Sequence, residues 1–237
     1  WVTGSDQSIK KYNPVSKAWD TYPGTGVRIA VTPDGIPWVV NQAGNILKWN
    51  GADWELIEGW ASDVAVGSDG TVWILGKDGV PHRKTANGWV QGTGSGNNIA
   101  VGTKGEVWMT NSAKSIYRQI STILKPLDGE GTEIAAGADG TVYVLGTDEV
   151  PGGYGIYRRL LNSNTWHRIS NTHGAVKLAV SPTGNPWIVD KHNRIYRWDS
   201  DTNTFLRLPG SATDIGIGAD GTVWVIGILK VSGGYNI

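Results

Sequence analysis

The sequence predicts an all-β protein, a β-propeller of four-stranded antiparallel blades, and three observations predict it. A hydrophobic strand, a turn on Asp-Gly or a close variant, and a second strand carrying an aromatic recur six times along the chain. The apolar runs are short, rich in Val, Ile and Trp, and bounded by Gly, Asp, Asn or Ser, which is strand patterning. No run keeps the 3.6-residue period of an amphipathic helix. The composition is also skewed, with 13 Trp against 1 Phe and 34 Gly in 237 residues. Such a skew marks a short unit copied many times.

The first two strands of the unit read IAVTPDGIPWVV (29–40), VAVGSDGTVWIL (64–75), IAVGTKGEVWMT (99–110), IAAGADGTVYVL (134–145), LAVSPTGNPWIV (178–189) and IGIGADGTVWVI (215–226). Their aromatics are Trp38, Trp73, Trp108, Tyr143, Trp187 and Trp224, at spacings of 35, 35, 35, 44 and 37. Trp1-Val2 opens the same register. The third strand reads IKKY, ILKW, IYRQ, IYRR and IYRW, starting at 9, 46, 116, 156 and 195. The fourth opens on Trp19, Trp54, Trp89, Leu124, Trp166 or Phe205. Asp-Gly suits the hairpin between the first two strands because a positive φ is cheap there. Four antiparallel strands in a period of about 37 residues make one blade, and radial closure removes the exposed edges.

First strands start near Val27, Asp63, Asn98, Glu133, Lys177 and Asp214. Six blades are therefore expected, closed by pairing of the N- and C-terminal segments. Seven fit if a further stretch precedes Trp1. Residues 1–237 read as a single domain.

Charge and composition remove several classes of function. Twenty-one basic and 21 acidic residues cancel, without the basic block that a nucleic-acid footprint or a polybasic membrane patch requires. The absence of cysteine removes disulfides, thiol catalysis and cysteine-ligated zinc. No apolar run is long enough for a membrane span, so the chain is expected to be soluble. It shows no signal peptide and assigns no compartment, cytoplasmic or secreted. Neither a cofactor nor a metal site is expected.

The string I-A-V-G-x-D-G-T-V-W, then I-Y-R-W, then W-x-x-I-x-G resembles the tectonin repeat of tectonins, tachylectin-type invertebrate lectins and fish-egg lectins. Trp54-Glu55-Leu56-Ile57-Glu58-Gly59 and Trp166-His167-Arg168-Ile169-Ser170 carry its last element. The resemblance runs along essentially the whole chain. It departs at Val80-Pro81-His82-Arg83-Lys84, and at Ile123-Leu124-Lys125-Pro126, where the fourth-strand Trp is missing. It implies carbohydrate recognition, with bacterial surface glycans, lipopolysaccharide or O-methylated sugars as ligands. VTPDGIPW is also similar to the repeats of virginiamycin-lyase propellers, but His82, His167, His173 and His192 sit in unrelated registers. The Asp-Gly-Thr-Val-Trp string resembles a sialidase Asp-box without the residue between Asp and Gly.

Residue by residue, packing explains most of the recurring features. The second- and fourth-strand aromatics are expected to fill the wedge between blades. The Asp-Gly turns offer one carboxylate each, too few for a calcium loop. A basic residue recurs in the third strand, at Lys11, Lys48, Arg83, Arg118, Arg158 and Arg197, and is expected to be solvated with local carboxylate partners. Trp60 is unrepeated and falls in a polar connection, as an exposed contact or a cap on the blade edge.

The ligand face is expected where second-to-third-strand loops and blade-to-blade loops gather, because function tends to reside in loops on a rigid scaffold. Asn and Asp there could accept from and donate to sugar hydroxyls beside an aromatic. The candidates are Asn41, Asn45, Trp60, Asp78, Asn111, Lys114, Asp148 and Asp190. The longer loop Asp148–Gly155 is expected to reshape or block its own site, leaving the regular copies between Thr25 and Gly129 as the better sites. No asymmetric cluster of base, acid and electrophile is visible. The expected function is a non-catalytic, multivalent lectin for microbial or invertebrate surface glycans in innate defence. Its partners are glycans, not nucleic acid or membrane interior, and a homo-oligomer is left open. The alternative is a protein-interaction scaffold, since the fold does not fix function.

Overall fold

The structure, a computed structural model, describes residues 1–120, 123–160, 163, 165–231 and 234–237. The strands fall into sheets in chain order. Sheet I holds β1 (Val2–Thr3), β2 (Ser8–Asn13) and β3 (Ala18–Thr25). Sheet II holds β4 (Arg28–Val31), β5 (Pro37–Val40), β6 (Asn45–Trp49) and β7 (Trp54–Trp60). Sheet III holds β8 (Asp63–Val66), β9 (Val72–Leu75), β10 (Pro81–Thr85) and β11 (Gly88–Gln91). Sheet IV holds β12 (Asn98–Val101), β13 (Val107–Thr110), β14 (Ser115–Ile120) and β15 (Ile123–Glu130).

Sheet V follows with β16 (Glu133–Ala136), β17 (Val142–Val150), β18 (Gly153–Arg159) and β19 (Trp166–Arg168). Sheet VI holds β20 (Lys177–Val180), β21 (Pro186–Val189), β22 (Ile195–Asp199) and β23 (Thr204–Arg207). At the C-terminal end, sheet VII pairs β24 (Ala212–Ile217) with β25 (Val223–Gly227), followed by the hairpin β26 (Lys230–Val231) and β27 (Gly234–Tyr235). First strands of successive sheets lie side by side from β4 to β24. This is the predicted propeller.

The expected closure differs. Among the described residues the terminal segments share no sheet, since β25 already occupies the edge of β24 in the register Gly216↔Trp224. Sheets I and VII instead meet through rings, with Trp224 at 4.9 Å from Tyr12 and 5.4 Å from Trp19. The hairpin β26–β27 reuses an element of sheet V. Val150↔Gly153 and Glu149↔Tyr154 in Val-Pro-Gly-Gly-Tyr match Val231↔Gly234 and Lys230↔Tyr235 in Val-Ser-Gly-Gly-Tyr.

Each hairpin between first and second strands uses its glycine at positive φ, as at Gly70 (81°), where an L side chain would be strained. The preceding Asp69 carboxylate accepts the Thr71 N–H at 3.0 Å and its hydroxyl at 2.8 Å, and Asp139–Thr141 and Asp220–Thr222 repeat the arrangement.

The core lies in the seams between sheets. Trp38, Val40 and Ile46 of sheet II pack on Val64, Val72 and Ile74 of sheet III, and equivalent clusters fill each later seam. Between sheets I and II the filling is aromatic, with Trp1, Tyr22, Trp49 and Trp54 within 6.4 Å of their neighbours. Trp73 and Trp108 are almost fully buried, so second-strand aromatics are packing residues as the repeat predicts. A buried ring of this size contributes a few kcal/mol.

First strands also touch through polar residues near their starts. Arg28 lies 3.7 Å from Asp63, whose carboxyl burial pushes up to about 6. In the seam between sheets IV and V the same place is held by the neutral amide of Asn98, which accepts the Ile134 N–H at 3.0 Å.

Candidate functional site

Two devices recur in the seams. At the hairpin-turn end, the second-strand aromatic sits directly opposite the third-strand basic residue: Trp38↔Lys48, Trp73↔Arg83, Trp108↔Arg118, Tyr143↔Arg158 and Trp187↔Arg197. The Lys48 ammonium lies 5.7 Å from the Trp38 centroid, and the Arg118 guanidinium 4.8 Å from that of Trp108. Of the third-strand cations only Arg118 has a carboxylate beside it among the described residues, Glu106 at 3.6 Å. The expectation of local carboxylate partners is therefore corrected. Lys11, Lys48 and Arg118 lie over the rings across from them, where attraction to the ring and the apolar stem both favour them.

At the loop end, the fourth-strand aromatic of one sheet packs over a glycine of the sheet before it. Trp54 Nε1 donates to the Pro23 carbonyl at 2.7 Å beside Gly24, and Trp89 Nε1 donates to that of Glu58 at 2.7 Å beside Gly59. Trp166 lies over Gly129 in the same way, yet its buried Nε1 has no partner.

The predicted ligand residues fall on these loops, and most of them hold turns. Asn41 Oδ1 accepts the Asn45 N–H at 2.9 Å, and Asn111 Oδ1 that of Ser115 at 3.0 Å. Asp78 accepts from Val80 at 3.0 Å. Asp190, only 1% exposed, accepts from the His192 and Arg194 N–H groups and pairs with the Arg194 guanidinium at 2.6 Å. Lys114 takes a φ of 66°, where other copies carry Gly44 and Gly79, and its carbonyl receives the Gly131 N–H of the next connection. Its side chain is exposed. Asn45 faces Trp60 across the β6–β7 ladder at a bulge. Trp60 is 66% exposed, as an exposed contact would be.

Asp148 breaks the pattern. It stands two residues after Gly146 as Asp78 stands two after Gly76, but the longer hairpin relieves it of the turn. Its carboxylate instead accepts the Tyr157 hydroxyl at 2.8 Å and pairs with Arg168, whose guanidinium also donates to the Tyr157 oxygen. Burial is the largest influence on the Tyr157 phenol and pushes its pKa up.

Around this trio the seam between sheets IV and V opens into a cleft of about 420 Å³, lined by Glu130, Thr147, Asp148, Tyr157, Thr165 and Trp166 among others. Glu130 accepts the Thr147 hydroxyl at 3.1 Å. The cleft therefore combines an indole, carboxylate acceptors and hydroxyls, within the size range of small-molecule sites. The longer loop was expected to reshape or block its own site, and of its residues Asp148 lines the cleft. Asp148 alone of the predicted residues lines it. Tyr157, Trp166, Arg168, Glu130 and Thr147 were not among them. The signal that could have found them is the insertion itself, which moves one loop carboxylate out of turn duty.

Among the described residues no group of His, Asp and Glu is placed to hold a metal ion, and no helix is long and apolar enough to cross a membrane.

Successive four-stranded antiparallel sheets, with their first strands side by side and their cores in the seams, define a β-propeller with repeat-built clefts. Solved structures agree on the fold. "YCF48 bound to D1 peptide" superposes with a TM-score of 0.67 at 16% identity, covering 93% of this chain and 82% of that one. The WD40 β-propeller domain of Doa1 gives 0.66 at 13%, covering 94% and 84%. YCF48 from Cyanidioschyzon merolae gives 0.58 at 16%, covering 93% and 79%. A search of curated protein sequences returns no match. The family model described as the Tectonin domain matches residues 1–150, and the chain belongs to the Tectonin family.

Proposed function

We propose that the protein is a non-catalytic lectin that binds surface glycans of microbes or invertebrates in innate defence, with residues 1–237 acting as one propeller. The observation that carries this reading is the loop-end cleft between sheets IV and V. There Trp166 lines the cleft together with Asp148, Tyr157 and Glu130. Sugars need that combination: an apolar ring face to stack on, and acceptors for adjacent hydroxyls. The carboxylates Asp128, Glu130 and Asp148 outnumber the one guanidinium, Arg168, which favours neutral or amino sugars over acidic ones here. Membership of the Tectonin family supports the same reading. Weak sites repeated on one ring, or on an assembly of rings, gain apparent affinity of about 10² to 10⁴ through avidity.

A glycan array probed with the folded chain, O-methylated sugars and lipopolysaccharide included, tests the proposal. We expect selective binding that Trp166→Ala and Asp148→Asn abolish or weaken about tenfold. An array without any bound glycan would remove the lectin reading. Leu56 and Trp60, 67% and 66% exposed on β7, favour a second reading as a protein-docking edge. A protein partner released by Trp60→Ala, together with a silent array, would put that reading in its place.

A further inference from the structure

The seam between sheets II and III opens at the opposite end from the cleft described above. On the hairpin-turn side it forms a cleft of about 670 Å³ whose walls include Trp38, Lys48, Thr71, Arg83 and Lys84. Lys48, Arg83 and Lys84 all line this cleft and are half-buried, and Arg83 faces Trp73 in the ladder while its neighbour Lys84 faces Trp89. None has a carboxylate partner: every ion pair among the described residues lies elsewhere. Glu55 faces Lys48 across the β6–β7 ladder without forming an ion pair. Asp34 and Asp69 also line the cleft, and Asp69 is engaged by the Thr71 N–H and hydroxyl.

The ammonium groups are held by rings, not by counter-charges. Lys48 Nζ lies 5.7 Å from the Trp38 centroid, and Lys84 Nζ lies 5.8 Å from that of Trp89. The two indoles meet edge-on at 6.3 Å, and both lysines line the one cleft. Lys84 spends one proton on the Thr85 carbonyl at 2.9 Å. An ammonium carries three donors, so both lysines retain donors for a ligand. A concave, partly desolvated group of like charges focuses its potential on the space between them and draws in an anion.

We propose that this cleft is a seat for a tetrahedral oxyanion, the phosphate or sulfate group of an ester. Lys48 and Lys84 grip its oxygens with their ammonium donors. The seat does not depend on the lectin reading, since it recognises the acid group whatever carries it.

The test is a two-dimensional NMR titration of the full chain with sodium phosphate at constant ionic strength, repeated with glucose 6-phosphate, glucose 6-sulfate and glucose. Saturable shifts at the Trp38 indole N–H and the Thr71 amide are expected with the three oxyanions and not with glucose. Lys48→Gln with Lys84→Gln should weaken the phosphate response about tenfold or more. Lys17→Gln, at an exposed lysine far along β2–β3, should leave it unchanged. Unshifted resonances elsewhere show that the double variant is folded, and each single lysine variant gives an intermediate loss. Tighter binding of the esters identifies an ester as the source, equal binding identifies free phosphate, and both support the seat. Shifts that fail to saturate, that persist in the double variant, or that glucose reproduces would overturn it.

Discussion

The seams between sheets II and III and between sheets IV and V are built from the same positions and open at opposite ends. Trp38, Lys48 and Lys84 in the first correspond to Trp108, Arg118 and Arg159 in the second. In the first, each lysine sits over a different indole and a cleft remains on the turn side. In the second, two guanidinium groups lie 4.8 and 5.0 Å from the centroid of one indole, beside the buried carboxylate of Glu106. Planar guanidinium stacks on a ring where ammonium stays a hydrated point. The filling leaves Trp108 Nε1, Arg118 Nε and Arg159 Nε buried without hydrogen bonds. At the loop end the order reverses. Trp89 is tied to the Glu58 carbonyl, whereas the Trp166 N–H is unused beside a cleft. A repeated scaffold therefore fixes the wedge, and a few side chains decide which mouth opens.

The largest expected effect separates the two tryptophans. Trp108→Ala removes a closed seam's filling and should cost about 3–5 kcal/mol, while Trp38→Ala extends an existing cleft that water can enter and should fall at or below the low end of that range. Urea midpoints of the two variants measure the difference. Equal losses would break the contrast between a closed and an open seam.

The next effect lies where first strands meet. The Asp63 carboxyl is raised by burial from 3.8 to about 6 in the folded protein. A raised value means that the folded state holds its proton more tightly. The associated stability is complete below about pH 4 and is lost as pH rises through about 6, by an amount on the order of 2–3 kcal/mol. Asp63→Asn keeps an acceptor for the Val64 N–H and should flatten the stability profile across that window. Thermal melts from pH 4 to 7 test this, and an unchanged slope would show that Asp63 does not supply it. Asn98, the neutral counterpart in the other seam, should add no slope when changed to Ser.

The smallest effect compares the fourth-strand rings. Trp89→Phe and Trp166→Phe lose similar ring area, but only the first gives up a hydrogen bond. Trp89→Phe should be the more destabilising by about 1 kcal/mol, read from paired urea curves. A reversed order would mean that the Trp166 N–H finds a partner in solution.

The sequence made the strands, the turns and the packing role of the second-strand aromatics legible, because those depend on alternation and on residues repeated at one period. Its spacing also placed Lys48 ten residues after Trp38, although only the ladder shows that the two face each other. The loops were harder to read. Asn41, Asn111 and Asp190 look like sugar ligands by residue type, yet their oxygens hold backbone N–H groups within their own turns. Asp148 looks the same in sequence, and it is free of that duty only because a hairpin longer than its counterparts follows it. Arg168, its partner, comes from 20 residues further on, a distance that local patterning does not cover.

The most direct measurement is a crystal structure of the chain with the glycan that the array selects. The sugar should lie at the loop end of the seam between sheets IV and V, its ring against Trp166 and its hydroxyls on Asp148 and Glu130. A neutral sugar bound instead in the turn-side cleft beside Trp38, or in the central channel, would contradict this account of how the two seams divide their work.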